Sequence, residues 1–222
     1  MNSILSHRIL PRLRALLKSR VASASVEFTL VTPLLVTSML GSAEFGRYYR
    51  YERHVGRAAK YYAQVLAAQV NTDGAFNNWF IHYGADSMMQ NFPEIMTEAA
   101  QQHKNWWDAL VWGGSIIQFT PTTTGCTTAC TYTGKTNAWW GGSLLQCGAI
   151  QLAATETGAF NTVPTGLASQ SMMFRVDISF QYQPLFGSKL VNPITIRKVG
   201  YAAPTNAMQI NVTNVSDMQM CP

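Results

Sequence analysis

The sequence predicts an α+β protein in which a long N-terminal helix, partly membrane-spanning, continues into an amphipathic helix and packs on a small antiparallel sheet with disulfide-stapled loops. Residues 28–43 carry no charge, residues 47–70 show helical periodicity, and residues 173–183 alternate apolar and polar side chains. We expect four segments: a basic leader over 1–22, a transmembrane helix over 23–46, an amphipathic extension over 47–71 and an extracytoplasmic α+β domain over 72–222.

The uncharged run is long enough to cross a membrane. From Val26 to Gly46, a helix rising about 1.5 Å per residue measures about 30 Å, which is the thickness of the hydrocarbon core. A cleaved signal peptide is the alternative, but the small residues 21–25 precede the run instead of following it. Pro33 lies inside the span, where it predicts a kink or weak point in the helix.

One acidic residue, Glu27, stands at the start of this run. A carboxylate costs roughly 2.5 kcal/mol or more at the bilayer centre, so we expect Glu27 to pair with another group. The competing interpretation is a plain membrane anchor with an incidental Glu near the interface. At the other end of the span, Glu44 lies one turn before Arg47, which predicts a local interfacial ion pair.

The net charge of +5 belongs to the leader. Residues 1–22 hold five of the 16 basic residues and no acidic residue, so the remainder carries 11 of each sign. The body of the protein therefore gives no indication of nucleic-acid binding. Charge does not fix the orientation of the span, because five basic residues follow it closely: Arg47, Arg50, Arg53, Arg57 and Lys60.

Four cysteines, Cys126, Cys130, Cys147 and Cys221, predict two disulfides in an oxidising compartment, with three possible pairings. A metal site is the weaker alternative. Cys126 and Cys130 have a permissible ligand spacing, but the other two cysteines form no second close pair and no His lies near. We therefore expect no metal and no cofactor, and we place the globular part outside the cytoplasm.

A set of residues around the span carries a family resemblance. They are Ala22-Ser-Ala-Ser-Val-Glu27-Phe28, then Pro33, then Glu44-Phe-Gly-Arg47. This pattern resembles the TadE-like family of minor pseudopilins, which belong to the tight-adherence (Tad or Flp) pilus and secretion machinery of bacteria. A segment over 172–203 resembles, more loosely, the strand pair that closes many members.

The resemblance implies how the protein is processed and where it acts. A prepilin peptidase would cut between Ala22 and Ser23, making Glu27 and Phe28 the fifth and sixth mature residues. Ala22 departs from the family's usual Gly. The protein would be a non-catalytic assembly subunit, crossing the bacterial inner membrane once, with its globular domain in the periplasm or at the cell surface. The implied partners are the peptidase, other pilins and pseudopilins, inner-membrane Tad assembly proteins and membrane lipid.

The alternative function is a membrane-anchored periplasmic or surface binding domain that is unrelated to pili. The tryptophan pairs Trp106–Trp107 and Trp139–Trp140 favour a carbohydrate ligand for such a domain. Catalysis has less support, because the four His residues are scattered and the sequence shows no HExxH motif, phosphate loop or nucleophile elbow. We expect a protein that is not an enzyme.

Local patterns predict the elements of the body. Tyr48, Tyr49 and Tyr51 are typical of an interfacial aromatic belt. Asn91 as N-cap and Glu94 predict a helix that Gly113 and Gly114 stop. The other predicted elements are a turn over 71–74, a strand over 115–122, a loop region over 123–148, a strand over 173–183 with one buried and one wet face, its antiparallel partner over 193–201, and a weak strand over 208–212.

Overall fold

The computed structural model describes residues 20–77, 79–102, 109–155, 161–186, 192–213 and 216–222. Most of the predicted leader lies outside these residues. The chain divides into two units between Arg47 and Tyr48. Helix α1, Arg20–Ala68, begins in the first unit and ends in the second, and it confirms the predicted long N-terminal helix.

In the second unit, α1 is amphipathic. Val55, Ala59, Tyr62 and Leu66 are fully buried, and their spacing of four, three and four residues places them on one face of the helix. The opposite face carries exposed basic side chains. The helix is followed by the predicted turn, in which the Gly74 amide donates to the Asn71 carbonyl at 2.9 Å.

The rest of the second unit is built from short helices and a sheet. The helices are α2, Trp79–Asn91, and α3, Pro93–Gln102, with a 3₁₀ turn at Thr165–Leu167. The strands are β1, Ala75–Asn77; β2, Leu110–Pro121; β3, Tyr132–Gly141; β4, Ala149–Ala153; β5, Thr162–Pro164; β6, Met173–Tyr182; β7, Ile194–Ala202; β8, Asn211–Thr213; and β9, Gln219–Met220.

Seven of these strands form one sheet in the order β5-β4-β3-β2-β6-β7, with β9 paired to β3. All of its pairs are antiparallel except β4 with β5. Strands β6 and β7 confirm the predicted strand pair, with Asp177 opposite Val199. The predicted weak strand over 208–212 becomes β8, which pairs in parallel with β1.

Helix α1 lies directly against the edge strand β7. A Cβ atom added to Gly200 would stand 2.2 Å from the carbonyl oxygen of Ala59, so only glycine permits this approach. Around this contact the larger hydrophobic cluster joins α1, α2 and α3 to one face of β6, including Val176, Ile178 and Phe180. The core of the second unit therefore lies between its helices and this sheet face.

The opposite face of β6 is buried as well, which corrects the prediction that this face is exposed to solvent. Arg175 is 0% exposed and Asp177 is 4% exposed. A second hydrophobic cluster covers part of this face, and it includes Leu145, Ile150 and Val163. Alternation along one strand shows that its two faces differ in polarity, but it does not show whether another layer covers the polar face.

The two buried charges pair with each other and bond to neighbouring segments of the chain. Arg175 Nε lies 3.0 Å from Asp177 Oδ1, and Arg175 Nη1 donates to the Thr162 carbonyl at 2.8 Å. Asp177 Oδ2 accepts the Leu144 amide at 3.0 Å and the Ser143 hydroxyl at 3.2 Å. Because a buried charge without a partner is costly, this pair fixes the loop after β3 and strand β5 to the sheet.

The predicted helix that begins at Asn91 is wrong in its boundaries. Asn91 is the last residue of α2, and its side-chain amide donates to the Ser87 carbonyl at 2.8 Å instead of capping a new helix. Pro93 opens α3, a position that suits proline because the first helical residue needs no amide donor. Strand β2 already begins at Leu110, so the end of the predicted helix is also wrong.

Gly113 and Gly114 lie inside strand β2 and do not stop a helix. A Cβ on Gly114 would stand 2.4 Å from the Trp140 ring, so the glycine makes room for that buried side chain. The predicted strand over 115–122 is thus confirmed but starts earlier. Strand β3, which carries Trp140, falls in the predicted loop region and was missed because its Thr, Asn, Lys and Gly residues resemble a loop in composition.

Both predicted disulfides are present, and the structure selects the pairing. Cys126 joins Cys130, and Cys147 joins Cys221. The first bridge closes a five-residue ring in the loop between β2 and β3. The second ties the loop after β3 to the C-terminal residues, next to β9.

Replacing Gly200 by Ala is expected to lower the free energy of unfolding by about 1 to 3 kcal/mol, because the added methyl group forces α1 away from β7. Gly56→Ala is the matched control. Its Cβ would meet Lys198 Cγ at 3.7 Å, an ordinary contact, and the helix gains up to about 1 kcal/mol from replacing glycine. Thermal unfolding of both full-length variants in detergent measures the difference, and equal stabilities would contradict the close approach.

The two disulfides are expected to contribute unequally. Loop-closure entropy gives about 4 kcal/mol for the Cys147–Cys221 bridge, with a sequence separation of 74, and about 2 kcal/mol for Cys126–Cys130, with a separation of 4. Urea unfolding of the two double Cys→Ser variants shows which bridge contributes more to the free energy of unfolding. A larger loss for Cys126→Ser/Cys130→Ser would contradict it, and four free thiols in the exported protein would contradict both bridges.

Candidate functional site

The first part of α1 presents an apolar surface. Within the described residues, α1 is the one helix that is long and apolar enough to cross a membrane, judged by length and composition. Its large apolar side chains are exposed between residues 26 and 45, among them Phe28 at 71%, Leu30 at 72% and Met39 at 75%. A continuous apolar surface of this kind is typical of contact with lipid or with other helices.

Hydroxyl groups along this surface bond to the helix itself. Thr29, Thr32, Ser38 and Ser42 each donate to the carbonyl four residues earlier, at distances of 2.6 to 2.7 Å. Thr37 donates to the Pro33 carbonyl at 2.8 Å. Lipid tails offer these hydroxyls no hydrogen-bond acceptor, and the backbone carbonyls supply one. The Ser and Thr content of the helix is therefore compatible with a bilayer.

The residues predicted for processing and assembly all lie on α1. The backbone at Ala22 and Ser23 is in the first turn of the helix. Glu27 and Phe28 follow on its exposed surface, and the helix runs on through Pro33. These positions therefore follow one another along a single helix.

The predicted ion pair at the far end of the span is formed. Arg47 Nη1 lies 3.4 Å from Glu44 Oε1, one turn away on the same helix. Both side chains are partly buried. A pair with this spacing is worth only a few tenths of a kcal/mol, so its effect is local.

Two of the tyrosines after the span pack against other elements of the second unit. Tyr48 packs edge-on against Tyr182 with ring centroids 5.7 Å apart, and Tyr51 stacks on Phe180 at 5.7 Å. The Tyr51 hydroxyl donates to Glu98 Oε2 at 2.6 Å. Tyr48 and Tyr51 therefore fix α1 to β6, and Tyr51 also fixes it to α3.

Of the tryptophans that favoured a carbohydrate ligand, Trp140 lies in the core and Trp139 is partly buried. Trp140 is 2% exposed, and Trp112 packs edge-on against Tyr62 with ring centroids 5.7 Å apart. Burial raises the pKa of the Tyr62 phenol well above its usual value, so its hydroxyl stays protonated and donates to the Ile81 carbonyl at 3.0 Å. The pair Trp106–Trp107 lies outside the described residues.

Residues 22–60 match the family model described as TadE-like protein. The match confirms the resemblance over the apolar helix and the first turns beyond it, and we call these residues the TadE-like segment. It relates the chain to the Tad pilus machinery and, together with the apolar helix, indicates a membrane-anchored protein. No curated protein and no solved structure matches the chain.

The last turns of the TadE-like segment carry exposed cations. We call Arg53, Arg57 and Lys60 the basic stripe. It borders a shallow cavity of about 370 Å³ between α1 and β7, where Lys198 Nζ pairs with Glu52 Oε1 at 2.5 Å. In the described part of the chain, no acidic group lies within 4.0 Å of the three stripe residues.

The described residues offer no obvious ligand set for a metal. Nowhere in the ranges that the structure describes do three or more His, Cys, Asp or Glu side chains meet in such a cluster. His82 lies 2.9 Å from Asp217 Oδ2, which belongs to a distant part of the chain. Both side chains are more than half exposed, so this is a surface pair.

Proposed function

We propose that the protein is a minor pseudopilin that acts in the assembly of a Tad pilus or a related secretion apparatus, by contacts with other subunits and without catalysis. The TadE-like segment, placed on an exposed apolar helix, carries this proposal. The proposed partners are a prepilin peptidase, other pilins and pseudopilins, and the inner-membrane Tad assembly proteins. The proposed location is the inner membrane.

The disulfides support an orientation with the globular domain outside the cytoplasm. Disulfides persist in the periplasm or at the cell surface and are rare in the reducing cytoplasm. Both pairs lie in the second unit, far along the chain from the span. The residues before the span then face the cytoplasm, where a prepilin peptidase cuts.

Cleavage between Ala22 and Ser23 would offer Glu27 a cationic group on a neighbouring subunit. The cut creates an ammonium group four residues before this carboxylate, at the membrane surface. In a bundle of such helices, Glu27 of one subunit neutralises the amino terminus of its neighbour, and the low dielectric strengthens the attraction. Desolvation offsets much of this energy, so the pair mainly fixes the axial register between subunits.

The mature protein is expected to begin at Ser23. Amino-terminal sequencing and the intact mass of protein recovered from its own cells measure this directly. Retention of the basic leader, or cleavage beyond Gly41 as for a signal peptide, would contradict the pseudopilin function and favour a plain anchor or an exported domain.

Glu27→Gln is expected to leave cleavage and membrane insertion intact while impairing assembly, because it keeps the side-chain shape and removes the charge that meets a neighbour. Glu44→Gln is the matched control, since its ion pair with Arg47 is local and weak. Crosslinking to partner subunits and surface pilus counts at matched expression compare the variants. Normal assembly of both would mean that Glu27 is incidental.

A further inference from the structure

The basic stripe is placed to meet a partner. Arg53, Arg57 and Lys60 follow the spacing i, i+4, i+7, so they share one face of α1, and all three are exposed. Arg53 lies over the Tyr49 ring at 5.7 Å, which leaves its guanidinium at the surface. Exposed arginine beside an aromatic ring is common in protein interfaces.

A second stripe lies on helix α2. Its inner face is buried through Ile81, Ala85 and Met88. Its outer face exposes Trp79 at 58% and Tyr83 at 44%. Their rings stack with centroids 5.6 Å apart. Asp86, also exposed, follows one turn later. We call Trp79, Tyr83 and Asp86 the aromatic stripe.

The two stripes match in length and in chemistry. The aromatic stripe also has the spacing i, i+4, i+7, so each stripe covers about 10 Å of helix at roughly 1.5 Å per residue. Laid side by side in the same direction, they pair Arg53 with Trp79 and Arg57 with Tyr83. Cations over aromatic faces attract. The third pair brings Lys60 to Asp86, which joins opposite charges.

We infer that the aromatic stripe of one copy of this chain docks on the basic stripe of a second copy. The contact is heterologous, because each copy uses a different surface, so it leaves one free stripe of each kind and extends into a row of copies. This inference rests on the proposed function and names one of its partners, a second copy of the chain.

A lipid headgroup is the main competing occupant of the basic stripe. Phosphate would satisfy the three cations equally well, but it would leave Trp79 and Tyr83 unexplained. A second copy accounts for both exposed surfaces at once, and aromatic residues with arginine dominate the binding energy of many interfaces. The observations therefore favour the second copy.

The test places the photo-crosslinker p-benzoylphenylalanine at Tyr83 in the full-length protein, in its own membranes. A mixture of isotopically heavy and light copies distinguishes contacts between copies from contacts within one. We expect heavy–light crosslinked peptides that join α2 to residues 53–60. The inference would be overturned if no crosslinks form between copies, or if the crosslinks reach only lipid or other proteins.

Charge reversal tests the pairing itself. Lys60→Asp in the copy that supplies the basic stripe is expected to lower the crosslink yield about fivefold, and Asp86→Lys in the crosslinker-bearing copy is expected to restore it. Arg197→Glu is the control, because Arg197 is an exposed base on β7 outside the stripe. An equal loss with Arg197→Glu, or no restoration by Asp86→Lys, would overturn the pairing.

The experiment distinguishes failure of the interface from failure of the proposed function. Crosslinking between copies requires neither cleavage at Ser23 nor a finished pilus. Normal cleavage and pilus assembly without the α2 crosslink would reject the interface and keep the function. The crosslink in a protein that retains its leader would keep the interface and reject the pseudopilin function.

Discussion

The approach of α1 to strand β7 is the contact on which the second unit depends. Gly200 lets the Ala59 carbonyl come within a distance that any side chain would prevent. With the helix this close, Val55, Tyr62 and Leu66 reach the face of β6 and lose all contact with water. Full burial of such side chains contributes about 1.5 to 3 kcal/mol each. Helices α2 and α3 then complete the same core.

Helix α1 satisfies its polar groups differently in its two parts. Between residues 29 and 42 the Ser and Thr hydroxyls bond to carbonyls of the previous turn, so none of these side chains needs water. Beyond Tyr48 the charged side chains need water or a partner, and they lie on the face that the sheet leaves open. Glu27 places a carboxylate at the start of the apolar run, where an isolated charge is costly, and in the proposed assembly it meets a cation of a neighbouring subunit.

The sequence predicted the features that local patterns determine. The alternation over 173–183 gave β6, and the helical spacing gave the buried face of α1, because each depends on periodicity within one element. The second layer over Arg175 and Asp177 was not predictable, since residues distant in sequence supply it. The prediction at Asn91 was wrong for a similar reason. An Asn side chain can accept a bond from an amide of the next helix or donate to a carbonyl of the preceding one, and the packing of α2 decides between them.

The candidate site was predictable to different extents. The residues of the TadE-like segment were identified from their spacing, whereas the aromatic stripe was not, because exposure of Trp79 and Tyr83 depends on which face of α2 packs inward. The Tyr51–Glu98 bond was not predicted, because it joins two residues that are 47 positions apart in the chain and lie on different helices.

The proposed contacts between copies are individually weak. Desolvation offsets most of the attraction between Glu27 and a new amino terminus, and exposed pairs such as Lys60 with Asp86 contribute at most about 1 kcal/mol. Two weak contacts on one chain nevertheless act together, because the first holds the second at a high effective concentration. In the proposed assembly, a subunit held at both places would dissociate more slowly than one held at a single place.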